Sequence, residues 1–132
     1  MATVRLLSDE DASAEALAVF EDIRATRGTD FINNFWRALA HDPQLLAATW
    51  ARLKTVMAPG ALDPLTKEMI YLAVSTANSC TYCIHSHTAA ARAKGMSEAQ
   101  YAELLGVIGM AMQTNGLVTA MQVPVDEEFR VE

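Results

Sequence analysis

Asp63-Pro64-Leu65-Thr66-Lys67-Glu68-Met69-Ile70-Tyr71-Leu72-Ala73-Val74-Ser75-Thr76-Ala77-Asn78-Ser79-Cys80-Thr81-Tyr82-Cys83-Ile84-His85-Ser86-His87 reads as helix, break, helix. Aspartate followed by proline caps and opens a helix, because proline's missing N–H falls where no intrahelical partner exists. The first helix is predicted from Asp63-Pro64 to about Ala77. Asn78-Ser79 then breaks and re-caps the chain. Cys80 is thereby expected in the first turn of a second helix that runs to Lys94, with Gly95 in the position past the end that glycine favours.

The same punctuation continues in both directions. Downstream, Ser97-Glu98-Ala99-Gln100 has the form of a capping box, in which serine and glutamine each satisfy the other's backbone amide. The helix it opens is expected to bend or restart around Gly106 to Gly109, resume through Met110 to Met121, and end before Pro124. Upstream, Asp42-Pro43 opens a helix through Leu46, Trp50, Leu53 and Met57 that stops near Pro59-Gly60. Asp30 opens one from Phe31 to about Ala40, with Phe31, Phe35 and Leu39 on one stripe. Asp11 or Ser13 caps a first helix to about Arg24, its face formed by Leu17, Phe20 and Ile23, and Gly28 ends that region. Strand signals are nearly absent, so the expected fold is all-α: a single domain over residues 1–132, a compact bundle of about six to seven helices with a solvated tail from Asp126 to Glu132.

A chain of 132 residues is long enough to bury a core without covalent staples, so the two cysteines are not needed for stability. Hydrophobic residues make up 52 % and mean hydropathy is +0.13, which is apolar for a lone domain and points to an oligomer. The net charge of −6 and the scattering of the ten basic residues argue against a nucleic-acid partner, which draws on clustered Lys and Arg. The opening Met1-Ala2-Thr3-Val4-Arg5-Leu6-Leu7-Ser8-Asp9-Glu10 turns acidic before an apolar region develops, so no signal peptide is expected. No apolar stretch is expected to reach the ~20 residues of a membrane span. The expectation is a cytoplasmic protein without a membrane partner, where a Cys-x-x-Cys is catalytic or metal-binding rather than a permanent staple.

Both cysteines fall in one Cys-x-x-Cys, and Cys80, Cys83 and His87 lie at i, i+3 and i+7 on one helical stripe. A free thiol with a pKa of about 8.5 is only ~3 % thiolate at pH 7, and one lowered to about 6 is ~90 % thiolate, the nucleophilic form. Two influences can lower it: the positive end of the helix near Cys80, and the imidazole one turn past Cys83. Glu68 lies on the preceding helix and reaches the stripe only if the two helices fold against each other. It would then join two thiols and an imidazole in a cluster suited to proton transfer.

Glu68, eleven intervening residues, Cys80-x-x-Cys83, three more and His87 resemble the signature of the alkylhydroperoxidase D-like branch of the carboxymuconolactone decarboxylase superfamily. Leu62-Asp63-Pro64-Leu65-Thr66-Lys67-Glu68 before the motif and Ala90-Ala91-Arg92-Ala93-Lys94-Gly95-Met96-Ser97 after it are similar to that family's helix entry and exit. The resemblance spans about Ala38 to Ala120. It implies an all-α homotrimer or homohexamer and a haem-free peroxidase that needs no cofactor beyond a redox-active Cys80–Cys83 disulfide. Its substrate would be an organic hydroperoxide and its electron donor a dithiol protein, with lipoyl-bearing proteins among the candidates. The resemblance assigns Cys83 as the peroxidatic cysteine, Cys80 as the resolving one, and Glu68 with His87 as the proton relay. From the residues alone the order stays open, since the helix terminus favours Cys80 and the i+4 histidine favours Cys83. Well-known peroxidase members carry a histidine where this chain has Tyr82; His85 is the candidate substitute, although it points about 300° away around the helix.

Other readings weigh against these. Both cysteines could be inert core residues. Zinc is disfavoured, because four ligands within eight residues of one helix cannot surround a tetrahedral ion without a second subunit. A lyase acting on a cyclic lactone acid through Glu68 and His87 is the enzymatic alternative, and a redox-responsive oligomeric module the non-enzymatic one. His41 is explained by its neighbouring cap. The methionines Met57, Met69, Met96, Met110, Met112 and Met121 read as core or subunit filler. Trp36, Trp50, Phe31 and Phe35 read as core before they read as a hydroperoxide pocket, and Asn115 as a polar pin at an interface.

Overall fold

The structure, a computed structural model, describes residues 1–130, and among these residues it contains six α-helices and no strand. The chain divides into two units, Met1–Ala58 and a second that begins at Pro59.

In the first unit, Ser13 caps α1 (Ala14–Arg27) by accepting the Ala16 amide, and Gly28 ends it in the left-handed conformation at φ 66°. α2 (Asn34–Leu39) is short. Asp42 accepts the Leu45 amide to open α3 (Pro43–Met57), with proline at the first position as expected. α1, α2 and α3 enclose a core of Leu7, Ala16, Phe20, Ile23, Ile32, Trp36, Ala40, Leu46 and Trp50. Removing a side chain such as Phe20, Ile23 or Leu46 wholly from water contributes about 1.5–3 kcal/mol each. Trp36 meets Trp50 edge to face, 5.6 Å between ring centroids, the geometry that aromatic quadrupoles prefer. Both tryptophans are thus core. The stripe expected in α2 is corrected: the helix starts at Asn34, not Phe31, and its buried register is Ile32, Trp36 and Ala40. Phe31 and Phe35 stay exposed, because the Trp36 ring fills the space against Trp50.

In the second unit, Asp63 accepts the amide and the hydroxyl of Thr66 and opens α4 (Pro64–Ala77). α5 (Thr81–Ala93) folds back along α4, and α6 (Glu98–Met121) also packs on α4. The turn between α4 and α5 is made by Ser79, which adopts a left-handed φ of 56°, and by the Cys80 amide donating to the Ser75 carbonyl. Cys80 is therefore the N-cap of α5, one position earlier than its expected place inside the first turn, because Ser79 already completes the reversal. Lys94 caps the other end, and Gly95 at φ 94° turns the chain away, a conformation that glycine adopts without strain.

The capping box at Ser97 and Gln100 is present with both of its bonds. The break expected at Gly106 to Gly109 is not. A lone glycine costs a helix only about 1 kcal/mol, and a Cβ at either position would meet nothing within 4 Å, so no close packing calls for a kink there. α6 consequently runs 24 residues without interruption, and its most apolar stretch has a mean hydropathy of 1.3. By length and composition it could cross a membrane, so the expectation that no stretch approaches such a span is corrected. Ile108 is its sole buried residue; Val107, Met110, Met112, Leu117 and Met121 are exposed, and Asn115 lies exposed among them. Met96, within the α5–α6 connection, is buried. Asp126 to Arg130 is exposed as predicted, while the last two residues of the expected tail lie outside the described residues.

Candidate active site

α5 carries the sulfur chemistry at its N-terminal end. The Cys80 Sγ, at the N-cap, accepts the Cys83 amide at 3.4 Å, as a serine or aspartate would in that position. The Cys83 thiol donates a hydrogen bond to Cys80, and this bond, with the amides of Cys83 and Tyr82, lowers the Cys80 pKa below the ordinary thiol value. Cys83 moves the other way. Burial, the same hydrogen bond and the Cys80 charge push it up to about 11. Of the two thiols, Cys80 is the one that gives up its proton more readily and Cys83 the one that keeps it. Both thiols are free and half-buried.

Helix periodicity carries the stripe from Cys83 to His87, and there α4 supplies the carboxylate. Glu68 is only 5 % exposed, and its Oε2 lies 2.6 Å from His87 Nδ1. Its other oxygen accepts Lys94 Nζ at 2.8 Å. Burial by itself would raise the Glu68 pKa, but the hydrogen bonds from His87 and Lys94 and their charges overcome it and hold the carboxyl below its ordinary value. Nδ1 bonded to a carboxylate leaves Nε2 of the imidazole as the nitrogen that can exchange protons with the rest of the site.

Tyr71, one turn beyond Glu68 on α4, stacks on His87 with ring centroids 3.6 Å apart and planes 19° from parallel. Its hydroxyl ionises less readily than a free phenol, through burial first and then through the negative charges of Cys83, Cys80 and Glu68. Those charges place the Tyr71 ring within electrostatic reach of both thiols and of the carboxylate.

The juxtaposition of Glu68 with His87 across α4 and α5, expected only if the two helices folded together, is what the structure delivers. Tyr82 and His85 are exposed on α5, outside the Glu68–His87 pair. His41 belongs to the first unit, where Nε2 lies 2.7 Å from the Arg5 carbonyl. Two residues of the cluster escaped the sequence reading. Lys94 could have been found, since it stands seven residues past His87 and so two turns along the same stripe. Tyr71 follows Glu68 by three and faces the same way, but nothing in its spacing marks it as a partner for an imidazole.

A family model described as the carboxymuconolactone decarboxylase family matches residues 43–126, well over half of the chain. The chain belongs to this family, in its alkylhydroperoxidase D-like branch. A crystal structure of the alkylhydroperoxidase AhpD core from Rhodospirillum rubrum is similar over 100 % of this chain and 99 % of that one, at 70 % identity and a TM-score of 0.96. The alkyl hydroperoxide reductase AhpD of Solibacter usitatus is 33 % identical over 85 % of this chain and 62 % of its own length. An uncharacterised protein of the cox locus of Paracoccus denitrificans is 41 % identical over 41 % of this chain and 49 % of its own. The chain thus spans about half to three fifths of the curated relatives it matches. All the residues of the cluster, from Glu68 to Lys94, fall inside the stretch that the family model covers.

Proposed function

We propose that this protein reduces organic hydroperoxides with its Cys80–Cys83 dithiol. The observation that carries the reading is the alignment, along one face of α5, of two hydrogen-bonded cysteines with an imidazole held by a buried carboxylate. Cys80 first gives up its proton to solvent; the proton on Cys83 then passes along its hydrogen bond to Cys80, and the Cys83 thiolate attacks the distal peroxide oxygen. The O–O bond breaks, Cys83 becomes a sulfenic acid, and the departing alkoxide takes a proton from the His87–Glu68 relay to leave as an alcohol. The Cys80 sulfur then displaces hydroxide from Cys83, its proton going to the hydroxide to make water, and the disulfide closes. In this order Cys80 is first the proton acceptor and then the resolving group.

A dithiol protein, of the lipoyl-bearing kind among others, returns the two electrons, and the need for re-reduction suits the reducing cytoplasm. A homotrimer or homohexamer would cover α6, whose apolar surface runs all the way round the helix. The test mixes reduced protein with cumene hydroperoxide and counts thiols. Two are expected to disappear per chain, and no loss would refute the reading. Cys83→Ser should lower turnover by about a thousandfold or more. A Cys80→Ser, Cys83→Ser double variant that decarboxylates a cyclic lactone acid at full rate would instead favour the lyase chemistry of the family's namesake.

A further inference from the structure

We propose that Lys94 is a positioning residue for the proton relay, fixing one oxygen of Glu68 so that the other stays on His87 as a charged acceptor. The inference rests on the proposed peroxidase chemistry but is anchored in geometry independent of it. Glu68 is buried, and both of its oxygens are held: Oε2 by Nδ1 of His87 at 2.6 Å, Oε1 by Nζ of Lys94 at 2.8 Å. The imidazole is a weak and changeable counter-charge, since it must be neutral at one stage of a proton relay and protonated at another. The ammonium takes no part in the relay. Without it, the buried carboxylate would face a neutral imidazole during part of every turnover, and a lone buried anion takes up a proton.

The fold holds Lys94 in this role. Its backbone amide caps α5 onto the carbonyls of Ala90, Ala91 and Arg92, and Gly95 turns the chain immediately afterwards. The side chain therefore starts from a fixed point, two turns from His87, and its stem runs back over the stripe. It remains 39 % exposed, so the ammonium keeps part of its hydration while it bonds the carboxylate. Arg92, two residues earlier, does different work: it pairs with Glu98 at 3.3 Å and lies over the Tyr101 ring. The charged and titratable groups that act on Glu68 are His87 on α5 and Lys94 at its C-cap, and Tyr71 on its own helix feels the charges of Glu68, Cys80 and Cys83. α6, which packs on α4, carries Glu98, paired with Arg92, and Glu103, and both are exposed.

The experiment compares Lys94→Met, Lys94→Arg and the parent chain by two readouts. In protein carrying carbon-13 at the glutamate carboxyl, protonation of Glu68 should move to higher pH in Lys94→Met and return in Lys94→Arg. Hydroperoxide turnover in Lys94→Met should fall about tenfold on the acid limb of the kcat/KM profile and stay within about twofold above pH 8. In a Glu68→Gln background the same change should no longer move the profile. A carboxyl titration unmoved by Lys94→Met overturns the proposal, as does an unmoved profile in active protein. Should the parent show no turnover, a displaced titration still supports the role of Lys94 on Glu68, and the peroxidase reading alone fails.

Discussion

Both units of this protein bury apolar side chains, but only the second buries an ionisable one. The first closes on nine apolar residues, with Phe20, Ile23 and Leu46 fully out of water, and keeps its charges outside, where Asp9 holds Arg24 and Arg37 and Asp22 holds Lys54 and the Trp50 indole. The second buries a carboxylate, with an imidazole and two thiols half-buried beside it, and leaves its longest helix exposed and apolar. The difference shows where stability and chemistry reside. A dense apolar core gains from burial without any ionisation to manage, whereas a buried Glu68 is tolerable only while His87 and Lys94 satisfy it. A helix that is apolar all round is stable in water only when something covers it.

The most visible effect is expected on α6. Leu117→Glu with Met110→Glu places charges on the exposed apolar surface and should at least halve the mass measured by light scattering while helicity stays constant. An unchanged mass would show that this surface is not what subunits share. In the first unit, Phe20→Ala should cost about 3–5 kcal/mol in urea unfolding and leave turnover per folded molecule unchanged. A loss of turnover at constant folded fraction would mean that the division of labour is wrong.

A smaller effect concerns pH. Glu68 titrates below its ordinary value in the folded protein, so it contributes stability that is complete above the ordinary carboxylate range and disappears as pH falls through that range to the lower folded value. Glu68→Gln should therefore unfold with a urea midpoint that changes less between pH 7 and pH 4 than that of the parent. Parallel losses in the two proteins would remove the carboxylate from the account of acid stability. The smallest effect is a cap: Ser13→Ala removes the acceptor for the Ala16 amide and should cost about 1 kcal/mol, with no change in the reactivity of either thiol.

Much of this was readable beforehand where the cause is local. The caps Asp42, Asp63 and Ser97 act on amides three residues away, and prolines at first-turn positions act on their own backbone, so α3, α4 and the start of α6 fall where the residues put them. Reading failed where a distant partner decided. The buried register of α2 depends on Trp36 finding Trp50, and α6 stays whole because nothing presses on Gly106 or Gly109. At the site, the line from Cys80 through Cys83 to His87 is helical arithmetic, but the partners of Glu68 are not.

By itself, then, the order of residues determined an all-α fold, the caps at Asp42, Asp63 and Ser97, and a dithiol in register with an imidazole, because each depends on atoms within a turn or two along the chain. Tertiary structure decided which groups share a proton. It brought α4 against α5, set Glu68 between His87 and Lys94, and laid Tyr71 on the imidazole. Charge, burial and stacking act through space across a few ångströms, and folding alone supplies that proximity to residues nineteen or twenty-six positions apart in the chain.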